Sequence, residues 1–139
     1  MNILMVCPEF LVTFWSWKFP LKLIGRKAAF PPLGLLTIAA MLPESWGKKV
    51  VDINVIRLTN EDISWADCVF ISAMTTQNDS AKEVIAHCKS FGKKVVLGGP
   101  ILEMGFDKFP DVDHFFVGEA EGRLHKFLES LGSGQAEKI

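Results

Sequence analysis

Only three cysteines, Cys7, Cys68 and Cys88, occur in 139 residues. They are too few and too widely spaced for a disulfide framework or a structural zinc site, and read as small buried hydrophobes in a reducing compartment. Neither Cys-x-x-Cys nor Cys-x-x-x-Cys-x-x-Cys is present, so the chain has no spacing that holds an iron–sulfur cluster by itself. A basic excess is missing as well. The 15 Lys and Arg stand against 16 Asp and Glu, a net charge of −1, which argues against a nucleic-acid or anionic-membrane surface. Met1-Asn2-Ile3-Leu4-Met5-Val6 carries no basic flank or small-residue cleavage site, so no signal peptide is expected and the expected location is cytoplasmic. The stretch from Phe10 to Ile24 is interrupted by Lys18, Pro20 and Lys22, short of the roughly 20 apolar residues of a membrane span.

What the chain does have is apolar residues, 49% of the total, enough for one full core. A single domain is expected over residues 1–131, with 132–139, opening Gly132-Ser133-Gly134-Gln135, as a flexible tail or the start of a linker to a further domain. Five short apolar runs read as strands: Ile3–Cys7, Lys49–Asn54, Cys68–Met74, the stretch from Lys93 through Leu97, and His114–Val117. Val95, Val96 and Leu97 show no polar alternation, which suits a strand covered on both faces.

Helical patterns separate these runs. Lys18 to Arg26 predicts a short helix with Leu21 and Ile24 on its inner side, inside the long aromatic segment Glu9–Pro32 that holds Phe14, Trp15 and Trp17. That segment either closes the end of the core, forms a lid over a large flat ligand, or offers a contact surface. Pro31-Pro32-Leu33-Gly34 opens a helix that runs to Pro43; being apolar all round, it is expected to be deeply buried. Thr59 is placed to cap a short helix ending near Trp65, and Ser80 with Glu83 reads as a capping box for the next. Leu124, Phe127, Leu128 and Leu131 mark the last helix. Strands alternating with helices predict a three-layer α/β sandwich, flavodoxin-like (Rossmann-like), with a five-stranded parallel sheet in the order 2-1-3-4-5.

In such a sheet ligands sit beyond the carboxyl ends of the strands. There the fourth strand ends in Gly98-Gly99-Pro100, which is either a tight turn or a patch of bare backbone for a ligand to approach. No Gly-x-Gly-x-x-Gly follows the first strand, where Cys7-Pro8-Glu9-Phe10 stands, so a dinucleotide site is not expected, nor is a flavin phosphate loop. A phospho-acceptor site would need an aspartate after the third strand, where this chain has Ser72. The third, fourth and fifth strand ends are the informative ones.

Taken in order, Ile3-Leu4-Met5-Val6-Cys7-Pro8-Glu9-Phe10, Pro31-Pro32-Leu33-Gly34-Leu35-Leu36-Thr37, Ile71-Ser72-Ala73-Met74, Val96-Leu97-Gly98-Gly99-Pro100 and Val117-Gly118-Glu119-Ala120-Glu121-Gly122 resemble the N-terminal cobalamin-binding domain of cobalamin-dependent radical S-adenosylmethionine enzymes. Phe14-Trp15-Ser16-Trp17-Lys18 and Ala40-Met41-Leu42-Pro43-Glu44-Ser45-Trp46 look most like the branch that includes the hopanoid C-2 methylase. The resemblance implies a cobalamin-binding module of a methyltransferase, with S-adenosylmethionine and a 4Fe-4S cluster in a separate catalytic domain in cis and no catalysis by this stretch alone. It places the nucleotide tail beside the sheet, with Gly98, Gly99 and Pro100 leaving it room, Ser72 facing the buried base, Ala73, Met74 and Thr75 along the same slot, and Gly118 and Glu119 in the last loop. Leu33, with Gly34 beside it, would lie near the lower face of the cobalt. Many such domains carry Asp-x-His-x-x-Gly after the first strand, and this chain has no histidine there; His87, His114 and His125 fall elsewhere. Base-off cobalamin without a histidine ligand is therefore expected, and Gly99→Trp is expected to abolish its binding without unfolding the domain. The alternatives are a flavodoxin-like protein interaction domain that binds no cofactor, and a stand-alone corrinoid carrier.

Overall fold

The computed structural model of the chain describes residues 1–12, 18–25, 28 and 30–133. Phe14, Trp15, Trp17 and residues 134–139 lie outside the described residues, while Gly132 and Ser133, expected to open the 132–139 tail, belong to the last helix. Five strands, β1 (Asn2–Cys7), β2 (Gly47–Asp52), β3 (Cys68–Ser72), β4 (Lys94–Gly98) and β5 (His114–Phe116), form one parallel sheet in the order β2-β1-β3-β4-β5. This is the flavodoxin-like arrangement read from the sequence. The helices are α1 (Lys18–Leu23), α2 (Leu33–Met41), α3 (Asn60–Trp65), α4 (Asn78–Ser90) and α5 (Leu124–Ser133).

The strands lack polar alternation because each face of the sheet has its own core. Leu4, Val6, Val69, Ile71, Val95 and Leu97 pack with Ile63 of α3 and Ala81, Val84, Ile85 and Cys88 of α4. Ile3, Met5, Phe70 and Val96 point the other way, onto Leu35 of α2 and Leu131 of α5. Successive residues of a strand serve opposite faces, so covering both faces demands an unbroken apolar run. All three cysteines are free and buried. Burial pushes the Cys68 thiol up to about 12 and that of Cys88 to about 11, so both pack as neutral groups.

Thr59 caps α3 as the sequence predicts: its hydroxyl accepts from the Asp62 N–H while the Asp62 carboxylate accepts from Thr59 N at 3.0 Å. Three other expectations are corrected. Ser80 is not an N-cap, because α4 begins at Asn78; its hydroxyl instead accepts from Glu9 N at 2.9 Å, across the strand ends. Nor is α2 deeply buried, since Leu35 alone of its nine residues is, while Leu33 is 66% exposed. A helix apolar all round carries no signal of which face turns inward. The α1 helix also stops at Leu23, which leaves Ile24 beyond its end and exposed rather than on an inner face.

Asp113 joins three elements at the opposite end of the sheet from the glycines. Its carboxylate accepts from Lys89 Nζ at 2.8 and 3.0 Å and from Val95 N at 2.7 Å. Burial opposes its ionisation, but the Lys89 ammonium and the Val95 N–H outweigh it and hold the carboxyl below its ordinary value of 3.8. A carboxyl depressed on folding contributes stability above the unfolded pKa, and that contribution is lost as pH falls through the folded value. Urea midpoints of the wild type are therefore expected to drop between pH 5 and pH 3 more steeply than those of Asp113→Asn, which has no charge to lose.

Candidate functional site

The carboxyl ends of β1, β3, β4 and β5 converge on one side of the molecule. Ser72 pairs with Gly98 and Gly98 with Phe116, so the last residues of three strands lie abreast. Beyond them Ala73 N donates to the Gly98 carbonyl at 3.2 Å, and Ile101 N to the Ala73 carbonyl at 3.0 Å. These bonds need Gly99, whose φ of +93° and ψ of 179° lie where residues with a Cβ are strained. A Cβ on Gly99 would also stand 2.7 Å from the Ala73 carbonyl oxygen and 3.1 Å from Ser72 Oγ. The expectation that Gly99→Trp spares the fold is thus corrected: Gly99 spaces the ends of β3 and β4, and any side chain there disturbs the turn itself.

Two clefts open at these strand ends. The larger, about 660 Å³, lies over the ends of β1, β2 and β3 and is bounded by Phe10, Leu11, Val12 and Phe30. The smaller, about 380 Å³, runs down between α2 and the ends of β3, β4 and β5 to Leu124 and Phe127 of α5. Leu33, Gly34, Leu35, Ser72 and Pro100 line both, so the two clefts adjoin along a shared wall that includes Ser72. Deep in the smaller cleft Phe116 meets Phe127 edge-on with ring centroids 5.4 Å apart, and Phe70 meets the same ring at 6.3 Å.

Of the residues singled out from sequence, Leu33, Gly34, Ser72 and Pro100 stand at the junction. Ala73 and Met74 face the larger cleft only, and Gly98, Gly99, Gly118 and Glu119 the smaller only. Thr75 lines neither: β3 ends at Ser72, and in the short 3-10 segment that follows, Thr75–Gln77, it is Thr76 and Gln77 that reach the larger cleft. Gly34 is the open position: a Cβ built on it meets nothing within 4 Å. Among the described residues no hydrogen bond is made by the Ser72 hydroxyl.

The lining is apolar with a few polar groups, as small-molecule sites are. No lysine, arginine or histidine is found among the described residues that line either cleft; the charged groups are Glu9 and Asp52 in one and Glu119 and Glu121 in the other. The histidines lie elsewhere. His87 Nε2 is 2.9 Å from Asn60 Oδ1, His114 stacks edge-on against Phe127 at 6.2 Å, and His125 faces Glu129 on α5.

Two residues of the larger cleft escape sequence reasoning. Gln77, 2% exposed, accepts from Met74 N at 2.8 Å and donates to the Pro8 carbonyl. Asn54 donates to that same carbonyl at 3.1 Å and accepts from Phe10 N at 2.9 Å. Both tie the segment after β1 to elements distant in sequence, and no local motif marks such a bond. Beside them the Cys7 thiol, 3.7 Å from Gln77 Nε2, is pushed up by burial, which outweighs the opposing effect of the Gln77 amide.

A family model described as the B12 binding domain matches residues 23–128. Among curated proteins, an uncharacterized methyltransferase of Synechocystis is 40% identical over 141 residues, which takes in 100% of this chain and 26% of the relative. The hopanoid C-2 methylase of Rhodopseudomonas palustris is 38% identical over 131 residues, 94% of this chain and 25% of that protein. An uncharacterized methyltransferase of Pyrococcus horikoshii is 30% identical over 120 residues, 78% of this chain and 26% of the relative. The chain thus spans about a quarter of the length of the curated relatives it matches. No solved structure matches.

Proposed function

The chain belongs to the B12-binding domain family, and from that premise we propose that it holds cobalamin, base-off and without a histidine ligand, for a radical S-adenosylmethionine methyltransferase. The observation that carries this reading is the pair of adjoining clefts at the strand ends, a larger and a smaller, with Ser72 in their shared wall. Cobalamin has the same two parts, a wide corrin ring fringed with amides and a nucleotide tail that ends in a flat base. Residues at the ends of β1 to β3 would hold the ring, and those between α2 and α5 the tail, which would keep the base away from the cobalt. That separation is what base-off means.

The residues present fit such a ligand. Gly98 leaves the narrow cleft open where a side chain would crowd the Phe116 carbonyl, 3.2 Å from its Cβ position. The Phe116 and Phe127 rings supply walls for a flat base, and the Ser72 hydroxyl is placed to donate to a ring nitrogen. Glu119 and Glu121 stand at the narrow cleft, and Glu9 and Asp52 at the wide one, as acceptors for amide N–H groups. The lack of a lysine, arginine or histidine in the described lining suits an amide-fringed ligand better than a polyphosphate, whose charge calls for cations or a glycine-rich helix start. When bound, cobalamin supplies methyl-transfer chemistry at cobalt; the protein's part is to orient it, shield one face and hold the tail. The S-adenosylmethionine site and the 4Fe-4S cluster belong, on this reading, to parts of the protein outside this chain, consistent with relatives about four times its length that are named methyltransferases.

Hydroxocobalamin titrated into the full-length protein tests this, followed by visible absorbance and then by paramagnetic resonance of the cobalt(II) form. Saturable binding with a base-off spectrum and no nitrogen splitting is expected. Nitrogen splitting would sink the ligand-free reading, and absence of binding to a folded protein would leave a protein interaction domain. The observation on the side of that second reading is the apolar rim of the larger cleft, with Phe30 80% and Leu11 62% exposed.

A further inference from the structure

Gln77 is one of only two polar or charged side chains found buried among the described residues, and the other, Asp62, is accounted for by the α3 cap and its pairing with Lys49. A buried amide is held to its bonds, because an unmade one costs the full desolvation of the group. Gln77 makes its bonds between two strand ends: it accepts from Met74 N, just after β3, and donates to the Pro8 carbonyl, just after β1. Asn54, beyond β2, reaches the same carbonyl and the next-but-one N–H, that of Phe10, and is itself held by Asp52 Oδ1 at 2.7 Å. Ser80 Oγ takes the intervening Glu9 N–H. The backbone from Pro8 to Phe10 is thus bonded at three successive residues by side chains from three other segments. Cys7, Glu9 and Phe10 from this stretch line the wide cleft, as do Asn54 and Gln77 themselves.

We propose that Gln77, with Asn54, is a positioning residue for the bound corrinoid: the two amides lock the Cys7–Phe10 wall in one conformation and so decide what can reach the cobalt from that side. This rests on the cobalamin reading and adds a cause for the cofactor's coordination state that lies in the protein's own hydrogen bonds. A wall pinned at each residue keeps its groups at fixed distances. Unpinned, it admits water or one of its own side chains to the metal.

The test uses the full-length protein, with Gln77→Leu and Asn54→Ala beside Thr59→Ala, which weakens the fold through the α3 cap far from the cleft. Each is titrated with hydroxocobalamin, and paramagnetic resonance and visible spectra of the bound cobalt(II) form are recorded. Gln77→Leu is expected to bind about tenfold more weakly or worse and to alter the cobalt(II) spectrum. Asn54→Ala is expected to change the spectrum in the same direction, and it carries the test should Gln77→Leu fail to fold. Thr59→Ala is expected to melt earlier with affinity and spectrum unchanged. Wild-type spectra in a folded Gln77→Leu or Asn54→Ala would overturn the positioning role while leaving the cobalamin reading intact. A wild-type protein that binds no corrinoid would bring down that reading, and the positioning role with it.

Discussion

Gly34→Trp is expected to lower corrinoid affinity at least 100-fold while leaving the fold as stable as the wild type. Gly34 is the second residue of α2 and lines both clefts at their junction. Its φ is not in the left-handed region and a Cβ there meets no neighbour within 4 Å, so the backbone accepts a side chain without strain. Replacing glycine in a helix removes a conformational penalty of roughly 0.5–1 kcal/mol, which works in favour of the variant. The indole then occupies space where the two clefts adjoin, which on the proposed reading the cofactor fills. Gly34→Ala, smaller by all but one carbon, separates bulk from helix propensity and is expected to bind within a few-fold of wild type. Calorimetric melting and the hydroxocobalamin titration, run on the same samples, check both halves. A Gly34→Trp protein that binds normally would mean that the corrinoid does not pass the junction of the two clefts.

Gly99→Val is expected to do the reverse, damaging the fold first and binding only as a consequence. Holding a side chain at φ +93°, ψ 179° costs on the order of 1–3 kcal/mol. The 2.7 Å approach to the Ala73 carbonyl adds to this, and it cannot be relieved by a rotamer because the neighbour is backbone. A loss of about 3 kcal/mol, or about 10 °C in Tm for a domain of this size, is the expected result. Differential scanning calorimetry without cofactor measures it directly, and an unchanged Tm would show that the β3–β4 turn tolerates another conformation. Both glycines act through the absence of a side chain, yet they serve differently: Gly34 keeps a space open, and Gly99 lets two backbones meet.

That contrast marks how far the sequence could be read. The five strands and their order were legible because a sheet covered on both faces leaves unbroken apolar runs, as at Ile3–Cys7 and Val95–Leu97. Leu33, Gly34, Ser72 and Pro100, named through the resemblance, line both clefts because they sit at strand ends or a helix start. The burial of α2 was not, since residues apolar on every side specify no inner face. Thr75 was misplaced by a strand that stops two residues earlier than its composition suggests. The amides of Asn54 and Gln77 were invisible for a different reason. Their bonds to Pro8 join residues far apart in the chain, and polar residues in loops are common enough to carry no signal.

The place of β1 in the sheet has a consequence for how the chain acquires its structure. Both neighbours of β1 come later: Ile3 pairs with Lys48 on one side and with Cys68 on the other. As the polypeptide leaves the ribosome its first strand therefore waits, apolar on both faces, until two further segments have emerged. Such non-local parallel pairing makes folding slow, and the exposed strand is a ready target for chaperones or for misassociation with another nascent chain. Conditions that slow synthesis or dilute chaperones should accordingly be felt in the yield of this protein before they are felt in its stability once folded.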